Sequence, residues 1–274
     1  MGRYFRVFGF MKEVLGMVKE QPKLLAPLAA NLVIASFVNI IFAIAYAFLG
    51  QDSFLGIIFL PLGLIALYFI DYFAAGMTVS LIHDQVTEGK VDMGAAFKRT
   101  LKASPGILIF ATVSGMLDWI ASYARDRGGI IGGIILGILR MVWTTATYVV
   151  MPALVIEGMG FFAAFKRSKE LMKNDPTQVG IGVIGLELIT MLLGFLAVGG
   201  AFALFNILSS VPLLAILVFY TMVNIFWSLS SYLRSTYYTC FYLWARECER
   251  QGHAAPELAP KPLAEVVAPA FAGM

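Results

Sequence analysis

Six long apolar runs separated by short polar segments dominate the pattern of hydrophobic and polar positions along the chain. Each run can cross the hydrocarbon core of a bilayer, roughly 30 Å thick, which takes about 20 helical residues. The pattern therefore predicts an all-α integral membrane protein with six transmembrane helices, at residues 24–49, 54–82, 105–122, 130–156, 177–205 and 211–245. Because the connections within each pair are short, the helices should form three hairpins.

The composition agrees with this class. Of the 274 residues, 59% are hydrophobic and 14% are charged, whereas soluble domains contain about 25% charged residues. A water-soluble core could not bury so much apolar surface.

Lysine and arginine are distributed unevenly between the two sides that six crossings define. Sixteen of the 20 lie on the side that carries both termini. Arg125 and Arg127 lie on the other side, and Arg140 and Arg234 fall inside apolar runs. Cytoplasmic segments carry the excess of basic residues in membrane proteins. We therefore expect a multi-pass protein of the cell inner membrane with both termini in the cytoplasm.

A basic segment ending in Lys-x-x-Pro precedes each hairpin, at residues 19–22, 102–105 and 173–176. Proline suits the first position of a helix, where its missing N–H has no partner to lose, and lysine suits the last turn of the helix before it. The motif AAFKR also occurs twice, at 95–99 and 163–167. The sequence thus predicts three tandem repeats, each an interfacial amphipathic helix followed by a transmembrane hairpin.

These repeats would occupy about residues 1–83, 84–157 and 158–252 of a transmembrane domain covering 1–252. The surface helices should bind anionic lipid headgroups. The residues expected to make this contact are Lys19, Lys98, Arg99, Lys102, Lys166, Arg167 and Lys173.

Five ionisable residues fall inside the apolar runs: Asp71, Asp118, Arg140, Glu187 and Arg234. Ionisable groups within a membrane usually mark a pathway or pair with one another. Both interpretations are open here: salt bridges that fix the packing, or a charged lining for transport. Three of the five, Asp71, Arg140 and Arg234, each precede a glycine at the end of an even-numbered span by 18 residues. Helical geometry therefore predicts that they share one depth.

Small residues and the last span carry weaker signals. Gly129, Gly133 and Gly137 recur every four residues, a spacing that allows close helix packing. The aromatic and polar stretch 230–250 suits an interfacial belt. The alternative is a cavity lined by Ser231, Thr236, Tyr237 and Tyr238.

The last segment, 253–274, is rich in alanine and proline. This composition predicts an extended, unpacked cytoplasmic tail, whose apolar end could dock on a partner.

No catalytic motif occurs in the sequence. The two histidines and two cysteines do not form a metal or haem motif, so we expect no cofactor and no enzymatic activity. Anionic lipid accounts for the basic segments better than nucleic acid does.

The first functional hypothesis is a non-enzymatic scaffold or accessory subunit that binds lipid, a larger membrane complex, or both. The alternative is a small transporter or channel that uses the charged cluster.

Residues 143–171, WTTATYVVMPALVIEGMGFFAAFKRSKEL, contain the pattern Trp-x3-Thr-x4-Pro-x4-Glu-Gly followed by Ala-x-Lys-Arg-Ser. Over about residues 70–200 the chain resembles a family of uncharacterised six-span prokaryotic integral membrane proteins, classed as a domain of unknown function. The resemblance implies the fold and an inner-membrane location. It brings no known activity and no functional residues.

Overall fold

The computed structural model describes residues 6–49, 54–147, 149–174, 176–253 and 255–271. Within them every regular element is helical. The α-helices are α1 (Arg6–Glu20), α2 (Ala26–Leu49), α3 (Phe54–Glu88), α4 (Met93–Thr147), α5 (Val150–Ile156), α6 (Phe161–Asn174), α7 (Pro176–Ile207), α8 (Pro212–Gln251) and α9 (Lys261–Phe271). Short 3-10 turns at Pro22–Leu25 and Pro256–Leu258 precede α2 and α9.

Four stretches of the described residues are long and apolar enough to cross a membrane: Pro22–Phe42, Pro61–Glu88, Met93–Ala121 and Leu214–Gln251. A shorter apolar helix, Leu193–Ile207, lies at the end of α7. These lengths are typical of transmembrane helices. The predicted all-α class is therefore confirmed for the described residues. Four candidate spans in these residues, where six were expected, suggest a membrane protein.

Large apolar side chains face outwards along α2 and α7. Phe48 is 87% exposed and Phe195 is 78% exposed, and Phe37 and Phe202 are also largely uncovered. Soluble monomers rarely expose so continuous an apolar surface. Such a surface suggests contact with lipid acyl chains.

The predicted break at 123–129 is wrong, because α4 is helical without interruption from Met93 to Thr147. The axis nevertheless reverses. Ser114 and Trp143 lie 29 residues apart on α4, and on a straight helix they would be separated by about 43 Å. Their side chains are instead hydrogen bonded at 3.0 Å. The two arms of α4 therefore lie side by side, and its axis bends sharply between Ser114 and Trp143.

The predicted helix start at Pro105 is also wrong, because Pro105 lies inside α4. A proline removes one hydrogen bond from a helix and tends to kink it. Here the neighbouring Ala103 and Ile107 are buried, and this packing holds the helix through the defect. At the other two Lys-x-x-Pro segments one helix does end and another begins: α1 ends at Glu20 before Pro22, and α7 begins at Pro176.

The predicted span 130–156 is interrupted, since α4 ends at Thr147 and α5 begins at Val150. Pro152 has no N–H to donate to the carbonyl four residues earlier, so the helix breaks on the N-terminal side of Pro152. The buried side chains of Val150, Ala153 and Leu154 then place α5 in the core.

Three glycines with positive φ follow the ends of α3, α5 and α8. They are Gly89 at 67°, Gly158 at 65° and Gly252 at 74°, and no other described residue has a positive φ. The left-handed conformation ends helices and favours glycine. α3 and α8 extend beyond the predicted ends at 82 and 245 until they reach these glycines.

The predicted extended tail is wrong over its described part. Lys261–Phe271 forms α9, which packs on α1 with Leu263 fully buried. The Lys261 ammonium lies 3.1 Å from the Glu13 carboxylate. Alanine and proline suggested an unpacked chain, but proline is tolerated at a helix start, where Pro256 and Pro262 lie.

The first turns of α4 and the helix α6 bury the same positions of their shared AAFKR motif. Ala96 and Ala164 are fully buried, as are Thr100 and Ser168 one turn later. Each motif therefore presents its alanine and hydroxyl face to the protein, although the two helices differ in length.

Candidate functional site

A cavity of about 390 Å³ lies between α3, α4, α5 and α8. Its residues recur at intervals of three and four, the spacing that keeps side chains on one helix face. α8 contributes the longest stripe, Trp227, Ser230, Ser231, Arg234, Ser235 and Tyr238. These residues of α8 therefore share one face of the helix, towards the interior.

Asp71 of α3 has partners on two other helices. Its carboxylate accepts a hydrogen bond from the Asn31 amide at 3.0 Å. Ser231 and Trp227 also hydrogen bond to it, and Arg234 attracts it electrostatically. Asp71 thus joins α2, α3 and α8, and a buried carboxylate needs such partners.

Asp118 of α4 supplies a second carboxylate, which accepts a hydrogen bond from the Tyr68 hydroxyl of α3. Asp71, Asp118 and Arg234 all face the same cavity. Two acids and one base from three different helices therefore meet at one polar space.

The opposite wall is aromatic. The Ser114 hydroxyl oxygen accepts hydrogen bonds from Tyr72 at 2.9 Å and from Trp143 at 3.0 Å. Phe110 stacks on Tyr72 with ring centroids 4.4 Å apart. The cavity therefore offers both charged groups and flat apolar faces.

A smaller cavity of about 240 Å³ adjoins the first and shares Tyr68, Asp71 and Trp227 with it. Amide side chains line it: Asn31, Asn39 and Asn224. Asp71 therefore lies between two polar spaces rather than at the end of one.

The structure brings together three of the five ionisable residues expected inside the membrane, Asp71, Asp118 and Arg234. The side chains of Arg140 and Glu187 lie outside the described residues.

Of the residues considered for a cavity in α8, Ser231 and Tyr238 line it. Thr236 and Tyr237 do not line it, since they lie on another face of the helix, and Tyr237 packs against Phe10 with centroids 5.4 Å apart.

The structure describes the surroundings of only one glycine of the predicted stripe Gly129, Gly133 and Gly137. Gly129 and Gly133 lie outside the residues whose surroundings are described. A Cβ added at Gly137 would meet no described atom within 4 Å. Its role in close packing stays a prediction.

Four of the expected lipid contacts, Lys19, Lys98, Lys102 and Lys166, are exposed. The side chain of Lys173 lies outside the described residues.

The two arginines of this set pair within the protein. Arg99 forms an ion pair with Asp84 at the end of α3. Arg167 donates two hydrogen bonds to the Glu249 carboxylate of α8, one of them at 3.0 Å. These hydrogen bonds raise the pKa of the Arg167 guanidinium. Both arginines therefore tie a surface helix to the end of a long helix.

Sequence reasoning missed several residues of the site, namely Asn31, Tyr68, Ser114, Trp143 and Trp227. A signal existed for some of them. Asn31 interrupts an apolar run, and Ser114 lies one helical turn from Asp118 on the same face. Trp143 carried no such signal, because its place depends on the reversal of α4.

Within the described residues, no group of three or more histidine, cysteine, aspartate or glutamate side chains could hold a metal ion. The arrangement suits reversible binding of a small polar molecule by hydrogen bonds and charge, with aromatic faces for an apolar part.

Long apolar helices surround the charged cavity, an arrangement that suggests a membrane protein with an internal polar site. Residues 53–254 match the family of unknown function DUF6159, and the chain belongs to that family. The match extends beyond the range 70–200 of the resemblance and includes the cavity residues of α3, α4 and α8. Comparison with curated proteins gives no match.

Proposed function

We propose that this protein binds a small polar solute in the charged cavity and moves it across the membrane. One observation carries the proposal: Asp71, Asp118 and Arg234 face a common space of about 390 Å³ between helices long enough to span a bilayer. Burying charges costs free energy that salt bridges alone rarely recover. A cavity large enough for a solute gives these charges a use.

The positions of the polar residues support binding rather than packing alone. Three serines of α8, Ser230, Ser231 and Ser235, flank Arg234 along the cavity. Well-packed membrane helices use small residues to approach closely, whereas these serines border open space. They can exchange hydrogen bonds with a solute as it enters and leaves.

Swelling of proteoliposomes tests transport for several classes of small solute at once. Vesicles with the full-length protein are placed in isosmotic solutions of small neutral, cationic, anionic or zwitterionic compounds, and the rate of swelling is followed by light scattering. We expect one class to enter faster than it enters protein-free vesicles, and Arg234→Gln to reduce that rate. Swelling equal to that of protein-free vesicles for every class would remove the proposal.

Access of water to the cavity is a second test. Ser231→Cys, on a Cys248→Ser background, should react with a small water-soluble thiol reagent, because Ser231 lines the cavity. Ala153→Cys is the matched control, since Ala153 is fully buried away from the cavity. Equal protection of the two cysteines would mean that the cavity is closed to water.

We also propose that six crossings of the inner membrane form three repeats with both termini in the cytoplasm. The left-handed glycines Gly89, Gly158 and Gly252 after three helices support this repeat. The matched burial of Ala96 and Ala164 supports it as well. The reversal of α4 supplies the direction change that a hairpin needs.

Cysteine labelling tests this topology in cells. A membrane-impermeant reagent should modify Asp126→Cys in intact cells and Lys90→Cys only after permeabilisation. The reverse pattern would place the basic segments outside the cell and overturn the proposed orientation.

The scaffold hypothesis remains the alternative. A partner that co-purifies at a fixed ratio from native membranes, combined with no solute flux, would favour it. Flux by the purified protein alone would favour the transporter.

A further inference from the structure

A second groove of about 350 Å³ lies away from the charged cavity, where the early part of α4 meets the end of α5 and the start of α6. Arg99, Lys102 and Pro105 line one side of it, and the segment Glu157–Gly158–Met159–Gly160 lines the other. We infer that this groove binds the phosphate headgroup of one anionic phospholipid. The site does not depend on the function proposed for the charged cavity.

Charge is the first argument. Lys102 is exposed and lines the groove beside Arg99, which is held in place by its ion pair with Asp84. Glu157, the acidic residue of the lining, accepts a hydrogen bond from the Tyr242 hydroxyl of α8. Asp84 and Glu157 balance the charges of Arg99 and Lys102 overall. The exposed Lys102 ammonium and the guanidinium N–H donors of Arg99 that Asp84 does not occupy still offer an anion hydrogen bonds in the groove.

The direction of the helix supplies the second argument. Pro105 and Gly106 lie three and four residues after Lys102 on α4, and Ile109 lies four and three residues after them, so the four residues form one stripe. Lys102 and Pro105 are exposed at its polar end, and Ile109 is 40% exposed further along. This part of α4 belongs to the candidate span Met93–Ala121. A headgroup at Lys102 would therefore have its acyl chains along the apolar part of the same stripe.

The loop opposite is open to a ligand. A Cβ added at Gly160 would meet no described atom within 4 Å, and Gly160 has no positive φ. Gly160 directly precedes α6, whose first N–H groups lack helical acceptors. A lipid phosphate between Lys102 and this loop could accept from both, and a free phosphate ion shares that chemistry. The apolar stripe favours the lipid.

Native mass spectrometry of the full-length protein in detergent tests the inference, with phosphatidylglycerol and phosphatidylcholine as probes. We expect one phosphatidylglycerol to be retained preferentially. Lys102→Gln should weaken its affinity about fivefold, the effect typical of one lysine at an anionic surface. Lys98→Gln is the matched control, because Lys98 is exposed on the same helix but does not line the groove. Equal losses of phosphatidylglycerol affinity in the two variants would mean that general surface charge, and not the groove, binds the lipid, and would overturn the inference.

Gly160 allows a second pair of variants. Aspartate and asparagine are similar in size, and both are good residues at the start of a helix. Gly160→Asp should abolish selective retention by adding a negative charge to the groove, whereas Gly160→Asn should retain the lipid. Loss in both variants, or equal retention of phosphatidylcholine by the native protein, would overturn the inference. Displacement of the lipid by millimolar glycerol phosphate would instead identify a site for a soluble anion and would also overturn it.

Discussion

The hydroxyl oxygen of Ser114 accepts a hydrogen bond from the indole of Trp143, 29 residues later on the same helix. It also accepts one from Tyr72 on α3. A serine oxygen has two lone pairs, so one atom joins both arms of α4 to α3. The reversal of α4 and the aromatic wall of the cavity thus depend on a common residue.

Replacing this acceptor should weaken the fold. Ser114→Ala leaves the Tyr72 and Trp143 donors without their partner, and we expect the free energy of unfolding to fall by about 1–2 kcal/mol. Thermal unfolding in detergent measures the loss. Ser210→Ala is the control, because Ser210 is exposed and its loss should be close to zero. Equal stability of the two variants would mean that other contacts hold the reversal.

A double-mutant cycle on Asp71 and Arg234 separates the electrostatic interaction from the other bonds of Asp71. Asp71→Asn and Arg234→Gln each remove one partner of this attraction while Asp118 stays in the cavity, at a cost of about 3 kcal/mol or more if the site is dry. The double variant should be less destabilised than the sum by at least about 1 kcal/mol. Additive losses would show that the two charges do not interact.

The same variants distinguish packing from transport. A purely structural pair predicts that the double variant regains stability and leaves any solute flux unchanged. A transport role predicts regained stability with flux still lost, because the charged lining itself is gone.

The contribution of the ion pair between Arg167 and Glu249 to stability can be compared with that of the neighbouring pair, Lys166 and Glu170. The pair is partly exposed, and we expect Arg167→Gln to lower the free energy of unfolding by about 0.5–1 kcal/mol, less in high salt. Lys166→Gln should have almost no effect, since Lys166 is 80% exposed and lies 3.9 Å from Glu170. Unfolding midpoints in low and high salt measure both. A loss for Arg167→Gln that is independent of salt would point to packing instead of charge.

Asp92 precedes α4, and its carboxylate accepts hydrogen bonds from the backbone N–H groups of Gly94 at 2.8 Å and Ala95 at 3.1 Å. The bond from Ala95, followed by that from Gly94, lowers the pKa of Asp92 below its ordinary value of 3.8. A lowered folded pKa stabilises the protein above the unfolded pKa, and this stabilisation is lost as the pH falls through the folded value.

Asp92→Ala should therefore unfold at a lower temperature than the native protein at pH 7, and the difference should shrink below about pH 4. Asp92→Asn should keep most of the stability, because asparagine also caps helices, and it should lack the pH dependence. A constant difference for Asp92→Ala across this range would contradict the assignment.

The apolar runs predicted the helices well where local chemistry decides the structure. Pro22 and Pro176 stand at helix starts as expected, and the glycines that end α3 and α8 could be read from the sequence. Pro105 could not be interpreted in the same way, because packing of Ala103 and Ile107 decides whether a proline ends or only interrupts a helix. The formation of the packed helix α9 could not be predicted either, since it depends on contacts with α1.

The candidate site was also predictable only where a local feature of the sequence marks a residue. An ionisable residue in an apolar run is conspicuous, so Asp71, Asp118 and Arg234 could be selected as a group. Their neighbours Tyr68 and Trp227 are ordinary residues of a membrane helix until the arrangement of the helices gives them a common space. Tertiary structure, which no local pattern encodes, assembled the cavity.

The contact between α1 and α9 limits how the chain can thread the bilayer. With 11 residues, α9 is about 17 Å long, which is too short to cross. The ammonium of Lys261 and the carboxylate of Glu13 lie 3.1 Å apart, and we therefore expect α1 and α9 to lie on the same side of the membrane. That expectation requires an even number of crossings between them, such as four or six. Reporters fused to either terminus should give the same signal.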